Sequence, residues 1–433
     1  MTVPGRIQPD WLTQGPVARL LALLGRNGEE ARVIGGAVRN TLLAEPIGDI
    51  DVATTALPEE VIRRVEAEGL KAVPTGIEHG TVTVVIDGRP FEVTTLREDV
   101  ETFGRHARVR FGRDWKRDAE RRDFTMNALS LSADGVVHDE IGGYPDVEAR
   151  RVRFIGDPAK RITEDYLRIL RFFRFHAAYG DGAPDPEGLH ACIVARAGLD
   201  SLSRERVRVE LFKLLVAPHA VPTLVVMAES GLLVALLGGV PLLASFSNMI
   251  KVEAASGLPS DPVRRLGALT LFVVEDAARV WRTLRLANVE YERMTAMAGD
   301  WWRVEPRIEP QKAHALLYRL KPERFTDLVL LAWTRSPASA DDPEWHALAT
   351  LPQRWRAPIF PLRAADFVKR GVGKGPPLGA ALRTAEAAWI AADFPIDMGR
   401  LATIADEAAT ATQAAIPEGG PPQGGPPQAA GSG

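Results

Sequence analysis

The chain carries one cysteine, Cys192, in 433 residues. That excludes an internal disulfide and any zinc site built on cysteines, and leaves a buried thiol as its plainest role. No apolar run reaches the length of a transmembrane helix, so no membrane partner is expected. Nothing at the start reads as a secretory signal, and the cytoplasm is the expected location. An excess of one charge is also missing: 53 Lys and Arg stand against 56 Asp and Glu, for a net charge of −3. Whole-chain electrostatics therefore give no signature of a nucleic-acid partner. There is no internal repeat. What the chain does have is bulk, with 46% hydrophobic residues. Its length allows roughly two to four domains with real cores.

The most informative stretch is Ile34-Gly35-Gly36-Ala37-Val38-Arg39-Asn40, followed by Asp49-Ile50-Asp51-Val52. Arg32-Val33-Ile34 reads as a strand running into a Gly-Gly turn, and residues 37–44 are helix-compatible. A tight glycine turn at a helix start offers free backbone N–H groups to an anion. Arg39, one turn on, can add a charged fork to a phosphate. Residues 47–53 read as a strand, which would set Asp49 and Asp51 on one face. Two such carboxylates beside a phosphate site suit a pair of Mg²⁺ ions. A third is available. Residues 81–86 alternate, Asp87-Gly88 is a tight-turn signal, and residues 91–95 return as the partner strand. Glu92 faces away from Phe91 and Val93 and is free to join the aspartates if the hairpin pairs beside them.

Further along, Arg121-Arg122-Asp123 enters an apolar run, residues 124–131, that is helix-compatible. Asp123 is placed to cap it, with Asn127 one turn later. Residues 163–179 read as one helix with Thr163 as N-cap. Arg168, Arg171 and Arg174 share a face with Asp165, beside an apolar stripe of Leu167, Leu170 and Phe173. Arg donates and Asp accepts, so such a pair can copy part of a base-pairing edge. An i,i+3 salt bridge between Asp165 and Arg168 is the structural alternative. Residues 97–108 read as a long polar loop close to this chemistry.

These motifs resemble those of the class II nucleotidyltransferases, the family of CCA-adding tRNA nucleotidyltransferases and bacterial poly(A) polymerases. The resemblance rests on Gly35-Gly36-Ala37-Val38-Arg39 with Asp49-Ile50-Asp51 and on Arg121-Arg122-Asp123-Phe124-Thr125-Met126-Asn127-Ala128. It continues through Gly142-Gly143-Tyr144-Pro145-Asp146, Glu164-Asp165-Tyr166-Leu167-Arg168, and Ser203-Arg204-Glu205-Arg206 with Glu210 and Lys213. The motifs run in family order over residues 31–215. One position departs: Asn40 stands where the family usually has Asp.

The resemblance implies an α+β fold, with a polymerase-β-like nucleotidyltransferase head of α/β type and an all-α neck, body and tail. The expected divisions are a helical segment at 1–30, the head at 31–150, the neck at 151–215 and the body at 216–350. A tail at 351–416 that meets tRNA follows, and a disordered Pro/Gly-rich stretch at 417–433. It implies template-independent addition of CCA to the tRNA 3′ end from CTP and ATP. Asp49 and Asp51 would bind Mg²⁺, with Glu92 as third catalytic carboxylate. Gly35, Gly36 and Arg39 would hold phosphates, and Arg122, Asp123 and Asn127 would line the phosphate and ribose side. Asp165 and Arg168 would choose between C and A, with Arg171 and Arg174 against the nucleotide. The loop at 97–108 favours the complete reaction over an enzyme that adds only C. A poly(A) polymerase, an A-only or CC-only enzyme and a silent RNA-binding module are the alternatives. His138-Asp139 suggests a fused phosphohydrolase, but the pair sits inside the head at a strand end and none is expected.

Overall fold

The computed structural model describes residues 5–103 and 106–415; the stretch 417–433 expected to be disordered lies outside them. The chain divides into two compact units, Met1–Lys251 with Pro259–Gly299, and Val252–Leu258 with Asp300–Gly433.

The first unit is built on a mixed sheet. Its strands are β1 (Ala31–Ile34), β2 (Asp51–Thr54), β3 (Lys71–Gly76), β4 (Thr81–Ile86) and β5 (Arg89–Thr95). A separate hairpin, β6 (Arg97–Phe103) and β7 (His106–Phe111), follows, and then β8 (Ser130–Ser132) and β9 (Val137–His138). The sheet order is β3-β4-β5-β2-β1-β8-β9. The hairpin β4–β5 forms as its sequence requires. Asp87 and Gly88 both take positive φ, 51° and 75°, the twist that suits a two-residue turn. Val82, Val84 and Ile86 of β4 and Phe91 and Val93 of β5 are buried, so the register is pinned by the pleat. β5 then pairs in parallel with β2 and sets Glu92 directly beside Asp51.

Four local expectations are corrected. The strand expected at 47–53 begins only at Asp51; Pro46 cannot donate to a ladder, and Gly48 packs against nothing there. Asp49 therefore precedes the strand instead of sharing its face with Asp51. The expected loop at 97–108 is the β6–β7 hairpin, with Gly104 and Arg105 outside the described residues. Residues 124–131 are not a helix. A single 3₁₀ turn at Thr125–Asn127 leads into β8, whose Ser130 and Leu131 pair with Ile34 and Val33 of β1. Partnership with a central strand overrides the local helical reading.

The fourth correction concerns residues 163–179. The helix α1 (Gly36–Leu42) follows the Gly-Gly turn, and two helices stand where one was expected: α2 (Pro158–Glu164) and α3 (Leu167–Tyr179). Asp157, not Thr163, caps α2, accepting from the Ala159 N–H at 2.9 Å. Between α2 and α3, Asp165 is extended, at φ −154° and ψ 108°, and its carboxylate accepts from the Leu167 N–H at 3.1 Å. An aspartate that caps the following helix competes with continuing the preceding one. α4 (Arg204–Leu215) packs against α3. α3 is buried nearly all round, with Leu167, Ile169, Leu170, Phe172, Phe173 and Phe175 in the core. Cys192 is buried too.

The second unit is helical. Pro310–Arg335 bends at Lys321, where φ is 70° in front of Pro322. Ala364–Val368, Pro376–Ala391 and Met398–Ala414 close around Phe367, Trp389 and Phe394.

Candidate nucleotide site

At the end of β1 the chain must reverse into α1, and Gly35 does so at φ 68°, a region closed to most side chains. The turn opens onto a cavity of about 520 Å³ lined by Gly35, Gly36, Arg39, Asp51, Arg122, Asp123, Asn127, Asp165, Arg168, Arg171 and Arg174. Every site residue read from the sequence is on that lining except Asp49 and Glu92. Leu167, Phe175, Tyr179 and Arg206 complete it.

Six arginines converge here, and their partners differ from those the sequence suggested. Arg168 pairs with Glu164 and donates to the Arg161 carbonyl at 2.6 Å. Asp165 pairs instead with Arg206 of α4 at 2.6 Å. The i,i+3 bridge within one helix does not form, because the break at Asp165 turns its carboxylate away. Arg171 donates through Nε to Asp123 at 2.8 Å, and Arg174 to Glu210 at 2.5 Å. Asp123 also accepts from the Phe124 N–H at 2.9 Å and the Asn127 amide at 3.1 Å. It thus braces the 3₁₀ turn, which has no side-chain cap of its own, while tying it to α3 through Arg171. Burial pushes its carboxyl up, but Arg171 and these hydrogen bonds outweigh that and hold it below the usual range. Arg122 donates to Asp118 at 3.1 Å. Arg39 is buried, 4% exposed, with its guanidinium 3.7 Å from the Tyr179 ring centre.

Of the three carboxylates only Asp51 reaches the cavity lining. Burial, then the Glu92 charge, raises the Asp51 carboxyl; Arg122 opposes, and Asp49 adds to the rise. Mutual repulsion of this kind marks a place where a cation is welcome. All three groups offer hard oxygen donors, which fits Mg²⁺. Asp49 itself is exposed and faces a neighbouring dip with Trp11 and Arg89. Among the described residues no three His, Cys, Asp or Glu side chains are already gathered closely enough to hold an ion.

The residues missed by sequence reasoning come from outside the first motifs. Arg206 and Glu210 sit one turn apart on α4, Arg206 closing the Ser203-Arg204-Glu205-Arg206 motif and Glu210 following it; that spacing was the available signal. Tyr179 and Phe175 fell within the expected helix, but nothing marked them as the floor under Arg39. His138 and Asp139 serve structure: Asp139 accepts from the N–H groups of Gly143 and Tyr144 at 2.8 and 3.0 Å.

A glycine turn and converging arginines, set beside repelling carboxylates on a mixed sheet under a helical neck, define a nucleotidyltransferase. The comparisons narrow the class. Residues 31–153 match the model described as "Poly A polymerase head domain", and residues 184–246 that described as "Probable RNA and SrmB- binding site of polymerase A". The chain is 36% identical over 391 residues to the Homo sapiens protein "CCA tRNA nucleotidyltransferase 1, mitochondrial", covering 88% of each. It is 41% identical over 217 residues to the CCA-adding enzyme of Bacillus cytotoxicus, covering 49% of this chain and 53% of that one. Its fold matches the crystal structure of the Bacillus stearothermophilus CCA-adding enzyme in complex with CTP. The TM-score is 0.74 at 27% identity, over 94% of this chain and 100% of that one. The chain belongs to the CCA tRNA nucleotidyltransferase family. The cytoplasmic location expected from the sequence is corrected by the same comparison: the human relative is named mitochondrial, which points away from the cytoplasm. The absence of a secretory pattern carries no information about mitochondria.

Proposed function

We propose that the arginine-lined cavity takes CTP and ATP in turn and that the neighbouring carboxylates transfer each nucleotide to the 3′ end of tRNA. Template-independent CCA addition is the activity of the family to which the chain belongs; the division of labour among its residues is our reading. The Gly36 N–H at the turn and the Arg39 fork hold the triphosphate, while the Gly35 N–H is used on the Leu129 carbonyl and Gly35 serves by its turn. Arg122, Asp123 and Asn127 face the ribose side. Asp165 accepts and Arg168 donates along the base edge, so protein replaces a template. Arg171, tied to Asp123, keeps α3 and its base-reading end in register with the head, and Arg174, tied to Glu210, holds α3 against α4.

Asp49 and Asp51, with Glu92 beside them, would hold Mg²⁺, whose chemistry here is to acidify the RNA 3′-OH and neutralise the departing pyrophosphate. The 3′ oxygen attacks the α-phosphorus and the bond to the bridging oxygen of pyrophosphate breaks. Glu92, exposed on its strand beside Asp51, is placed to take the hydroxyl proton on a carboxylate oxygen. The head at 31–150 carries this chemistry, the neck at 151–215 the base choice, and the helices at 216–350 and 351–416 the tRNA.

The observation that carries the reading is the parallel β2–β5 register, which sets Glu92 beside Asp51 at the edge of the cavity. Asp51→Ala is expected to lower CTP incorporation into tRNA lacking CCA by about a hundredfold or more. CTP binding should persist, since the arginines remain. Near-normal incorporation would sink the proposal.

A further inference from the structure

Asn40 uses both ends of its side chain. Its Oδ1 accepts from Nε and Nη2 of Arg39 at 3.1 and 2.7 Å. Its Nδ2 donates to the Pro46 carbonyl at 2.6 Å. A guanidinium only donates and a carbonyl only accepts, so this is the one orientation of the amide that satisfies both. Arg39 also donates to Asn127 Oδ1, again a neutral amide, and its guanidinium lies over Tyr179, whose side chain helps to hold it. Burial disfavours the Arg39 cation most and the Arg174 charge adds to that, while Tyr179 opposes both. Asp123 attracts it through space but is bonded to Arg171. Arg39 is thus fixed in a buried fork by neutral groups, and its charge is not cancelled by a contacting carboxylate.

We propose that Asn40 is a positioning residue that orients Arg39 without neutralising it, reserving that charge for the phosphates of the incoming nucleotide. By holding Pro46, it also ties α1 to the segment that leads into Asp49 and Asp51. The proposal rests on the reading that this cavity takes a nucleoside triphosphate. An aspartate at position 40 keeps the oxygen that faces Arg39 but adds a compensating charge. It also replaces an N–H donor by an oxygen set against the Pro46 carbonyl, an unfavourable contact.

The test is equilibrium binding to the full chain at several salt concentrations, with CTP and, as a base-free probe, inorganic tripolyphosphate. Asn40→Asp is expected to weaken both by about fivefold or more and to flatten the salt dependence, because one buried charge is no longer unpaired. Arg39→Gln should do the same. Asn40→Ala frees the fork but leaves the charge, so binding weakens while the salt dependence stays that of the wild type. Wild-type affinity and salt dependence in Asn40→Asp, with weakened binding in Arg39→Gln, overturns the role of Asn40 alone. Wild-type binding in Arg39→Gln overturns the phosphate site itself. If Asn40→Asp fails to fold, Asn40→Ala decides: a flattened salt dependence in that variant contradicts the proposal.

Discussion

Asp123 shows how much one side chain can carry. It is buried, 8% exposed, and faces the Phe124 N–H, the Asn127 amide and the Arg171 guanidinium. Burial alone would raise its carboxyl, yet Arg171 and the hydrogen bonds prevail and the group is depressed. A carboxyl depressed in the folded state stabilises the fold at any pH above its unfolded value, about 3.9. That contribution is lost as pH falls through the lower folded value. Asp123→Asn is therefore expected to cost about 2–4 kcal/mol near neutral pH, since Arg171 loses its closest partner. It should also flatten the loss of stability below about pH 4. Urea unfolding across pH 2–7 checks both, and an unchanged acid limb would show that the ion pair is not felt. The sequence placed Asp123, Asn127 and Arg171 in the site. It could not show that Asp123 and Arg171 meet, because their contact joins residues far apart in the chain.

At the scale of elements, turns and breaks matter more than the regular pieces. Gly35 is left-handed so that β1 can deliver α1 and its N–H groups to the cavity. A Cβ there would meet the Arg122 Nη1 at an ordinary 3.6 Å, so the cost of Gly35→Ala is backbone strain, about 1–2 kcal/mol. Relief of that strain would rotate the Gly36 N–H proposed to hold the triphosphate. The KM for CTP is expected to rise about tenfold with a smaller change in kcat; steady-state kinetics on tRNA lacking CCA reads the split. The strand–glycine turn–helix and the β4–β5 hairpin were legible because local pattern and turn chemistry both specify them. The break between α2 and α3 was not. Residues 163–179 contain no proline or glycine, and the interruption comes from Asp165 capping α3 while it is held by Arg206 from α4. The helix expected at 124–131 failed for a related reason: β1 was waiting to pair with β8.

For the whole molecule, the balance of charge says little, and the site says much. A net charge of −3 conceals six arginines around one cavity, drawn from α1, the Arg121-Arg122-Asp123 block, α3 and α4. Family motifs made the family readable over residues 31–215, and residues 31–153 match a head-domain model; the helical second unit was readable only as helix, because its core of Phe367, Trp389 and Phe394 carries no chemistry to recognise. The central claim is that protein groups at the α2–α3 break, not a nucleic-acid template, choose the base. The most direct measurement incubates tRNA lacking its 3′ end with CTP and ATP together and sequences the added nucleotides for the wild type and Asp165→Ala. The account predicts CCA followed by a stop for the wild type. For Asp165→Ala it predicts mixed C and A at each position, with chemistry slowed less than selectivity is lost. Faithful CCA addition by Asp165→Ala at a reduced rate would contradict it.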